Sequence, residues 1–127
     1  MSQSAIKLIR PADRTLAAAQ TAGMIREAAV ESRGMWAGIA RTQPGNRSGW
    51  HHHGQWDTVA YVITGAVHLE FGPGGREVVE AHPGDFIFIP EGEIHRESNP
   101  STEEQHLVIV RRGSGPVVVN VDVPAPD

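Results

Sequence analysis

Short apolar runs in the second half of the chain have the pattern of β-strands. Residues 59–64 form an apolar run, residues 67–71 alternate between apolar and polar, and residues 86–89 are apolar at every position. Side chains alternate between the two faces of a strand, so alternation predicts burial on one face and a continuous apolar run predicts burial on both. We therefore predict a hairpin over residues 59–71 and a fully buried strand at residues 86–89.

Turn signals rich in glycine and proline separate these runs. They lie at residues 65–66, 72–75, 82–85 and 113–116. Further strands are predicted at residues 6–10, 24–30, 35–42, 76–80, 105–111 and 117–121. A short helix over residues 13–20 is the one helical prediction, because no helical period extends over a long window. Strands with turns about every 8 to 12 residues are typical of a sandwich or barrel, so we expect an all-β fold.

Length and composition limit the classes of function. The 127 residues are about the size of one domain, and we predict a single domain over residues 1–127. Charged residues make up 20% of the chain and the net charge is −4, which argues against a nucleic-acid partner. No run approaches ~20 apolar residues, and the first residues lack the apolar segment of a signal peptide. We therefore expect no membrane partner and a cytoplasmic location. The lack of cysteine removes disulfides and thiolate chemistry.

Histidine is the side chain in this sequence best suited to bind a transition metal, and the chain has 7 of them. His51 and His53 are two residues apart, so a strand would place both imidazoles on one face and His52 on the other. His95, which follows a Pro-Glu-Gly turn in a distant segment, is the best-placed third ligand. Three imidazoles make a facial set for a divalent transition metal, with iron the first choice and nickel, manganese, zinc and copper also compatible.

The spacing around these histidines resembles the two sequence motifs of the cupin family. Gly45, five further residues, the pair His51 and His53, and the closing Gly65 match the first motif. The second motif is matched at Gly84, Pro90, Gly92, His95 and Asn99. The resemblance to a small, single-domain, metal-dependent cupin implies a double-stranded β-helix, or jelly-roll barrel, with the histidines facing its interior.

The same resemblance implies how the chain is divided and what it binds. Residues 1–44 would form N-terminal strands, residues 45–121 the conserved barrel, and residues 122–127 a frayed tail. Cupins often use such N-terminal strands to join a second subunit, so a homodimer is expected. A small-molecule substrate is the other expected partner.

The chain departs from the first cupin motif at its usual glutamate. Counting back from Gly65 places Thr58 at that position, whereas the shorter count forward from His53 places Asp57 there. We interpret Thr58 as facing inward beside a three-histidine site. The alternative, in which Asp57 is a fourth metal ligand, stays open.

Side chains close to the motifs supply candidates for contacts with a substrate. The pocket candidates are Gln55, Trp56, Thr58, Phe88 and His106. Aromatic residues at such positions also pack in cores, and His106 could instead lie near solvent. Asp57 and Tyr61 are the candidate catalytic residues, because they are the nearest groups able to carry a proton. Arg41 and Arg96 could attract a carboxylate.

Three functions are compatible with such a site. The first is a mononuclear non-haem dioxygenase that binds O2 and a small bidentate substrate, such as a β-diketone or enol. The second is a metal-dependent isomerase, epimerase or lyase acting on a sugar or hydroxy acid, which needs a nearby proton carrier. The third is a non-enzymatic cupin that binds a small ligand, since a fold does not determine a function. We take the dioxygenase as the first hypothesis, and whether the chain is catalytic stays open.

Overall fold

Two antiparallel β-sheets hold most of the regular structure in residues 5–127, which are the residues that the computed structural model describes. The strands are β1 (Thr15–Leu16), β2 (Ile25–Ser32), β3 (Met35–Thr42), β4 (His51–His52), β5 (Gln55–Thr64), β6 (Val67–Phe71), β7 (Glu77–Ala81), β8 (Phe86–Ile89), β9 (His95–Ser98), β10 (Gln105–Ser114) and β11 (Val119–Asn120). A 3₁₀ turn at Pro11–Asp13 is the one helical element of this range. No helix within it is long and apolar enough to cross a bilayer. The all-β prediction is confirmed.

The chain crosses repeatedly between the two sheets. The large sheet has the strand order β1-β2-β3-β10-β5-β8, and the small sheet has the order β11-β4-β9-β6-β7. From β4 onward, successive strands alternate between the sheets except at the β6–β7 hairpin. This winding encloses a shared interior, and its longest strands, β5 and β10, have 10 residues each and pair in the large sheet.

Alternate residues of the long strands build the interior. The buried positions of β5 are Trp56, Thr58, Ala60 and Val62. The buried positions of β10 are Gln105, Leu107, Ile109 and Arg111. One hydrophobic cluster joins these apolar residues to Val67 and Leu69 of the small sheet. The interior is therefore a packed core into which a few polar side chains also point.

Two predictions for the N-terminal part are wrong. Residues 6–10 lie outside both sheets, and Ile6 and Leu8 are 88% and 70% exposed. The predicted helix over residues 13–20 is replaced by the end of the 3₁₀ turn and by β1. A segment this short is not stable as a helix by itself, and pairing with β2 satisfies its backbone instead.

Strand β8 is buried on one face rather than on both. Ile87 and Ile89 are 8% and 6% exposed, whereas Phe86 and Phe88 are 72% and 63% exposed. The predicted two-sided burial is therefore wrong. An apolar run shows that both faces could be covered, but it does not show that the outer face of this edge strand is covered within one chain.

Gly65 closes the hairpin between β5 and β6. Its φ is 77°, in the left-handed region that favours glycine. A Cβ at this position would lie 2.7 Å from the Cα of Gln105. Both the backbone conformation and the close approach of β10 require glycine at the end of the first motif.

Candidate metal centre

Three histidines meet on the inner face of the small sheet. His51 lies on β4, His53 follows that strand directly, and His95 begins β9 and is paired with His51. They are 0%, 3% and 0% exposed, and one ligand nitrogen from each lies within 4.8 Å of the other two. Strand alternation turns the half-buried His52 away from this group.

The backbone fixes the orientation of each of these three rings. Every Nδ1 atom lies 2.9 Å from a backbone carbonyl oxygen, and the three carbonyls belong to Gly49, Val117 and Glu93. A carbonyl can only accept, so each Nδ1 carries the proton and each Nε2 keeps its lone pair. Within the described chain, the Nε2 atoms of His51 and His95 are buried without a hydrogen-bond partner. An orphaned buried acceptor costs about 1–3 kcal/mol, which a bound cation would offset. The residues present therefore fit a divalent transition metal.

Burial keeps the three imidazoles neutral. Loss of hydration, followed by the electrostatic effects of His95 and Arg26, lowers the pKa of His51 to about 2. Burial, followed by the charge of Arg111, lowers the pKa of His53 in the same way. Burial is also the main cause of the lowered pKa of His95. Neutral imidazole is the form that binds metal, so the group has the right protonation state at neutral pH.

Strand β5 separates the two residues considered for the glutamate position of the motif. Thr58 faces the interior and is 1% exposed, whereas Asp57 faces outward. The Asp57 carboxylate accepts a hydrogen bond from the Glu91 amide at 3.1 Å and lies 3.5 Å from the Arg112 guanidinium. Tyr61, the other candidate catalytic residue, also lies on the outer face, where its ring packs on an aromatic ring of β8. Because side chains alternate along β5, the structure brings neither candidate proton carrier to the histidines.

The five pocket candidates do not gather at one site. Thr58 lines a small cavity beside the histidines, which we call the interior cavity. Phe88 is largely exposed and lines a separate surface cavity of about 210 Å³ that reaches His95 from outside. Gln55 is exposed, and His106 lies on the outer face of β10. Trp56 is a core residue whose Nε1 donates to a carbonyl oxygen at 2.9 Å.

Three charged side chains that the sequence pattern did not single out are buried next to the histidines. Arg26, Glu97 and Arg111 are 1%, 6% and 3% exposed and line the interior cavity together with His53 and His95. A signal for Arg111 was present in the sequence, because it shares a strand face with the apolar residues two and four positions before it. A charge in phase with the apolar positions of a strand indicates an inward-facing functional residue.

The two arginines considered earlier as carboxylate contacts have other partners. Arg41 Nη2 lies 3.0 Å from a carboxylate oxygen of Glu27, and Arg96 Nε lies 2.8 Å from one of Glu70. All four side chains are partly exposed. Arg41 and Arg96 therefore belong to surface ion pairs outside the interior cavity.

Comparison with known proteins gives this geometry a context. A family model described as a cupin domain matches residues 38–111, an interval that contains all three histidines. The (R)-mandelonitrile lyase of Granulicella tundricola is 35% identical over 77 residues. This match covers 60% of the present chain and 56% of the lyase, so the chain aligns with little more than half of that relative.

Two solved structures are similar over most of their length. The polyketide cyclase RemF from Streptomyces resistomycificus has a TM-score of 0.74 at 21% identity, with 93% of this chain and 87% of the cyclase covered. A conserved Klebsiella pneumoniae protein with a double-stranded β-helix domain has a TM-score of 0.69 at 20% identity, with 84% and 86% covered. At this level of identity the likeness shows the fold alone, and the predicted double-stranded β-helix is confirmed.

Proposed function

The chain belongs to the cupin family, and on that premise we propose that it is a mononuclear non-haem metal dioxygenase acting on a small bidentate substrate of the diketone or enol type. The observation that supports this proposal is the all-imidazole ligand set. In residues 5–127, the group able to hold a metal consists of His51, His53 and His95 and includes no carboxylate. Three neutral ligands leave a divalent ion its full charge and open coordination positions.

The protein side chains have defined tasks in this proposal. His51, His53 and His95 hold the ion through Nε2, because backbone carbonyls already occupy their Nδ1 protons. The bound ion supplies Lewis-acid chemistry and, if it is iron, redox chemistry toward O2. The packed interior excludes bulk water from the ligands, which strengthens electrostatic interactions there. Iron is the first choice, and nickel, manganese, zinc and copper fit the same nitrogen ligands.

A metal-dependent lyase is the second candidate function. The match to (R)-mandelonitrile lyase favours it, and the match includes a little over half of that protein. Lyase, isomerase and epimerase reactions need a proton carrier, and the two residues considered for that task, Asp57 and Tyr61, face away from the histidines. We therefore place this function, on a nitrile, sugar or hydroxy acid, behind the dioxygenase.

Metal analysis is the first test of the proposal. We expect wild-type protein, purified without chelator, to contain about one transition-metal ion per chain, and His51→Ala and His95→Ala to lose it. Loss of a direct ligand should weaken binding by more than the roughly 10–100-fold that loss of an outer partner costs. His52→Ala is the matched control, because its side chain points away from the group, and should keep the metal. Metal retained in both alanine variants would contradict the assignment of these ligands.

Oxygen consumption distinguishes the two enzymatic functions. The metal-loaded protein is mixed with pentane-2,4-dione in an oxygen electrode, and in a second vessel with (R)-mandelonitrile under nitrogen. The dioxygenase proposal predicts O2 uptake in proportion to the diketone consumed, and none with His95→Ala. Turnover of the nitrile without O2 would favour the lyase. Stoichiometric metal with neither reaction would favour a cupin that binds a ligand without catalysis.

We also propose that the protein forms a homodimer with a small-molecule substrate in each subunit. The support is an exposed apolar area on the outer face of the large sheet. It includes Phe86 and Phe88 of β8 and Val110 of β10, which are 72%, 63% and 45% exposed. Contiguous apolar surface of this kind is typical of subunit contacts.

A further inference from the structure

Two buried guanidinium groups lie beside the histidines with donors that no protein atom accepts. Arg26, on β2, is 1% exposed, and within residues 5–127 its Nε and Nη1 atoms have no hydrogen-bond partner. Its Nη2 lies 3.5 Å from the sulfur of Met24, a weak acceptor. Arg111, on β10, is 3% exposed and donates from Nε to Thr58 Oγ1 at 3.1 Å, while its Nη1 has no partner in the same range.

Such donors destabilise the fold unless a ligand accepts them. Burial lowers the pKa of Arg26 to about 10 and that of Arg111 to about 9, so both groups stay protonated at neutral pH. Buried charges are ordinarily paired, and an unsatisfied N–H of a charged group is among the most unfavourable features of an interior. Two buried guanidinium groups with unsatisfied donors in one cavity therefore point to a ligand that accepts their hydrogen bonds.

The charge of the interior is positive. The buried charged residues of the described chain are Arg26, Arg111 and Glu97, so two guanidinium groups face one carboxylate. The neighbouring imidazoles are neutral, and a divalent cation on them would increase the positive charge. An anion would complete the interior both in charge and in hydrogen bonding.

The arginines line two separate cavities. The first is a cavity of about 100 Å³, which Arg26 and Arg111 line together with Trp36 and Val117. The same two residues line the interior cavity next to His53 and His95. The Arg111 guanidinium lies over the Trp36 ring, 4.7 Å from its centroid, which fixes its plane and leaves its edge available.

We propose that Arg26 and Arg111 form a carboxylate-binding subsite that orients a small carboxylic acid in front of the three histidines. A planar guanidinium donates two parallel hydrogen bonds to a carboxylate, which a single ammonium cannot do. Within the diketone or enol class proposed above, the favoured substrate is accordingly one that also carries a carboxylate, so that its other oxygen donors reach the metal position. The catalytic part of this inference rests on the proposed function, whereas binding to the arginines requires no metal.

Binding of malonate to metal-free protein tests the subsite independently of catalysis. Chelator-treated wild-type protein is titrated at constant ionic strength, in a calorimeter, with malonate, with its uncharged analogue malonamide and with inorganic phosphate. We expect malonate to bind and malonamide not to bind. Arg26→Met and Arg111→Met should each weaken malonate binding at least tenfold, and Arg26→Lys should restore part of it. Arg112→Met is the matched control, because this next residue of β10 is 85% exposed on the outer face, and it should leave binding unchanged.

Melting temperatures separate a binding role from a structural one. Methionine replaces the buried charge with an apolar chain of similar length, so we expect Arg26→Met and Arg111→Met to melt no lower than wild type.

A lower melting temperature together with unchanged malonate affinity would overturn the subsite. Equal binding of malonate and malonamide, or no binding of either, would also overturn it. Tighter binding of phosphate than of malonate would overturn the assignment to a carboxylate. If both methionine variants fail to fold, the wild-type comparison with malonamide and the Arg26→Lys variant decide the question. Failure of the dioxygenase or lyase assays would leave these metal-free results unaffected.

Discussion

Burial of the three clustered imidazoles determines how the protein responds to acid. In the unfolded chain their pKa is near 6.5, and folding lowers all three values, to about 2 for His51. Below pH 6.5 the unfolded state therefore binds more protons than the folded state, and stability falls as the pH falls. Each histidine adds about 1.4 kcal/mol per pH unit to this slope, between pH 6.5 and its own folded pKa.

Urea denaturation of the metal-free protein measures this effect. We expect the free energy of unfolding to be nearly constant between about pH 8 and pH 7 and to fall steeply from about pH 6.5 to pH 5. His53→Gln should reduce the slope, because it removes one of the three buried imidazoles. His82→Gln, at an exposed turn position, is the control and should keep the wild-type profile. A free energy of unfolding that stays constant down to pH 5 would contradict burial of the neutral histidines.

The histidines could be located from the sequence, whereas for the arginines it contained only the strand alternation that turns Arg111 inward. Motif spacing and strand alternation are local rules, and they were enough for three imidazoles on two short segments. Counting residues along the motif could not decide whether Thr58 or Asp57 faces the histidines. One residue more or less in the preceding loop turns every side chain of the strand to the opposite face. The pairing of Thr58 with Arg111 across β5 and β10 fixes that register. Burial of Arg26 and Arg111 depends on how distant strands enclose them, which local pattern does not contain.

At the scale of single elements, two glycines of the first motif allow backbone strain and steric overlap to be measured separately. Gly45 and Gly65 have φ values of 79° and 77°. A Cβ at Gly45 would meet no atom within 4 Å, whereas a Cβ at Gly65 would lie 2.7 Å from the Cα of Gln105. Gly45→Ala should therefore lower the free energy of unfolding only by the cost of placing an alanine in the left-handed conformation, roughly 1–2 kcal/mol.

Gly65→Ala should cost more than Gly45→Ala, because the overlap is with backbone and cannot be relieved by moving a side chain. We expect the difference in the free energy of unfolding to exceed about 1 kcal/mol, since overpacking alone costs about 1–3 kcal/mol. Urea denaturation of both variants beside wild type measures it. Equal losses of stability would mean that the β5–β6 turn can move away from β10, against the close packing described for it.

The individual strands were predicted with different success for physical reasons. The bounds of β3 and β8 agree with the predicted residues 35–42 and 86–89, because clear turn signals stand on both sides of each. Residues 6–10 have only a weak alternation of apolar and polar positions, and this pattern does not reveal that they lie outside both sheets. The exposure of one face of β8 could not be predicted either. The sequence shows that a side chain is apolar, but it does not show whether the rest of the chain buries it.

At the scale of the whole molecule, the fold class could be predicted and the order of strands could not. Short strands separated by regular turns indicate two packed sheets, and the motif resemblance indicated the barrel. Strand β10, however, pairs with β3 on one side and β5 on the other, across long separations in sequence. Such pairings depend on the closure of the barrel rather than on any local pattern, and they are what bring the arginines to the histidines.

The outer face of the large sheet is the area that we propose as the subunit contact. Val59 is paired with Phe88 on one side and with Val110 on the other, and Tyr61 is paired with Phe86. These side chains form one continuous area, which we call the outer apolar face. Strand β2 is paired with β1 and β3 within the chain, and the expected role of the N-terminal strands in joining a second subunit stays a prediction.

A charge on the outer apolar face should separate the two subunits. We expect wild-type protein to sediment as a species of twice the mass of one chain, and Phe88→Glu to sediment as a single chain at the same concentration. Burying an unpaired carboxylate in the contact should cost more than about 1.4 kcal/mol, which weakens association at least tenfold. Val78→Glu is the matched control, because Val78 is 49% exposed on the small sheet and lies outside the proposed contact. Circular dichroism of both variants verifies that they fold. A wild-type protein that sediments as one chain at about 100 μM, or a Phe88→Glu variant that remains a dimer, would mean that the outer apolar face is not the subunit contact.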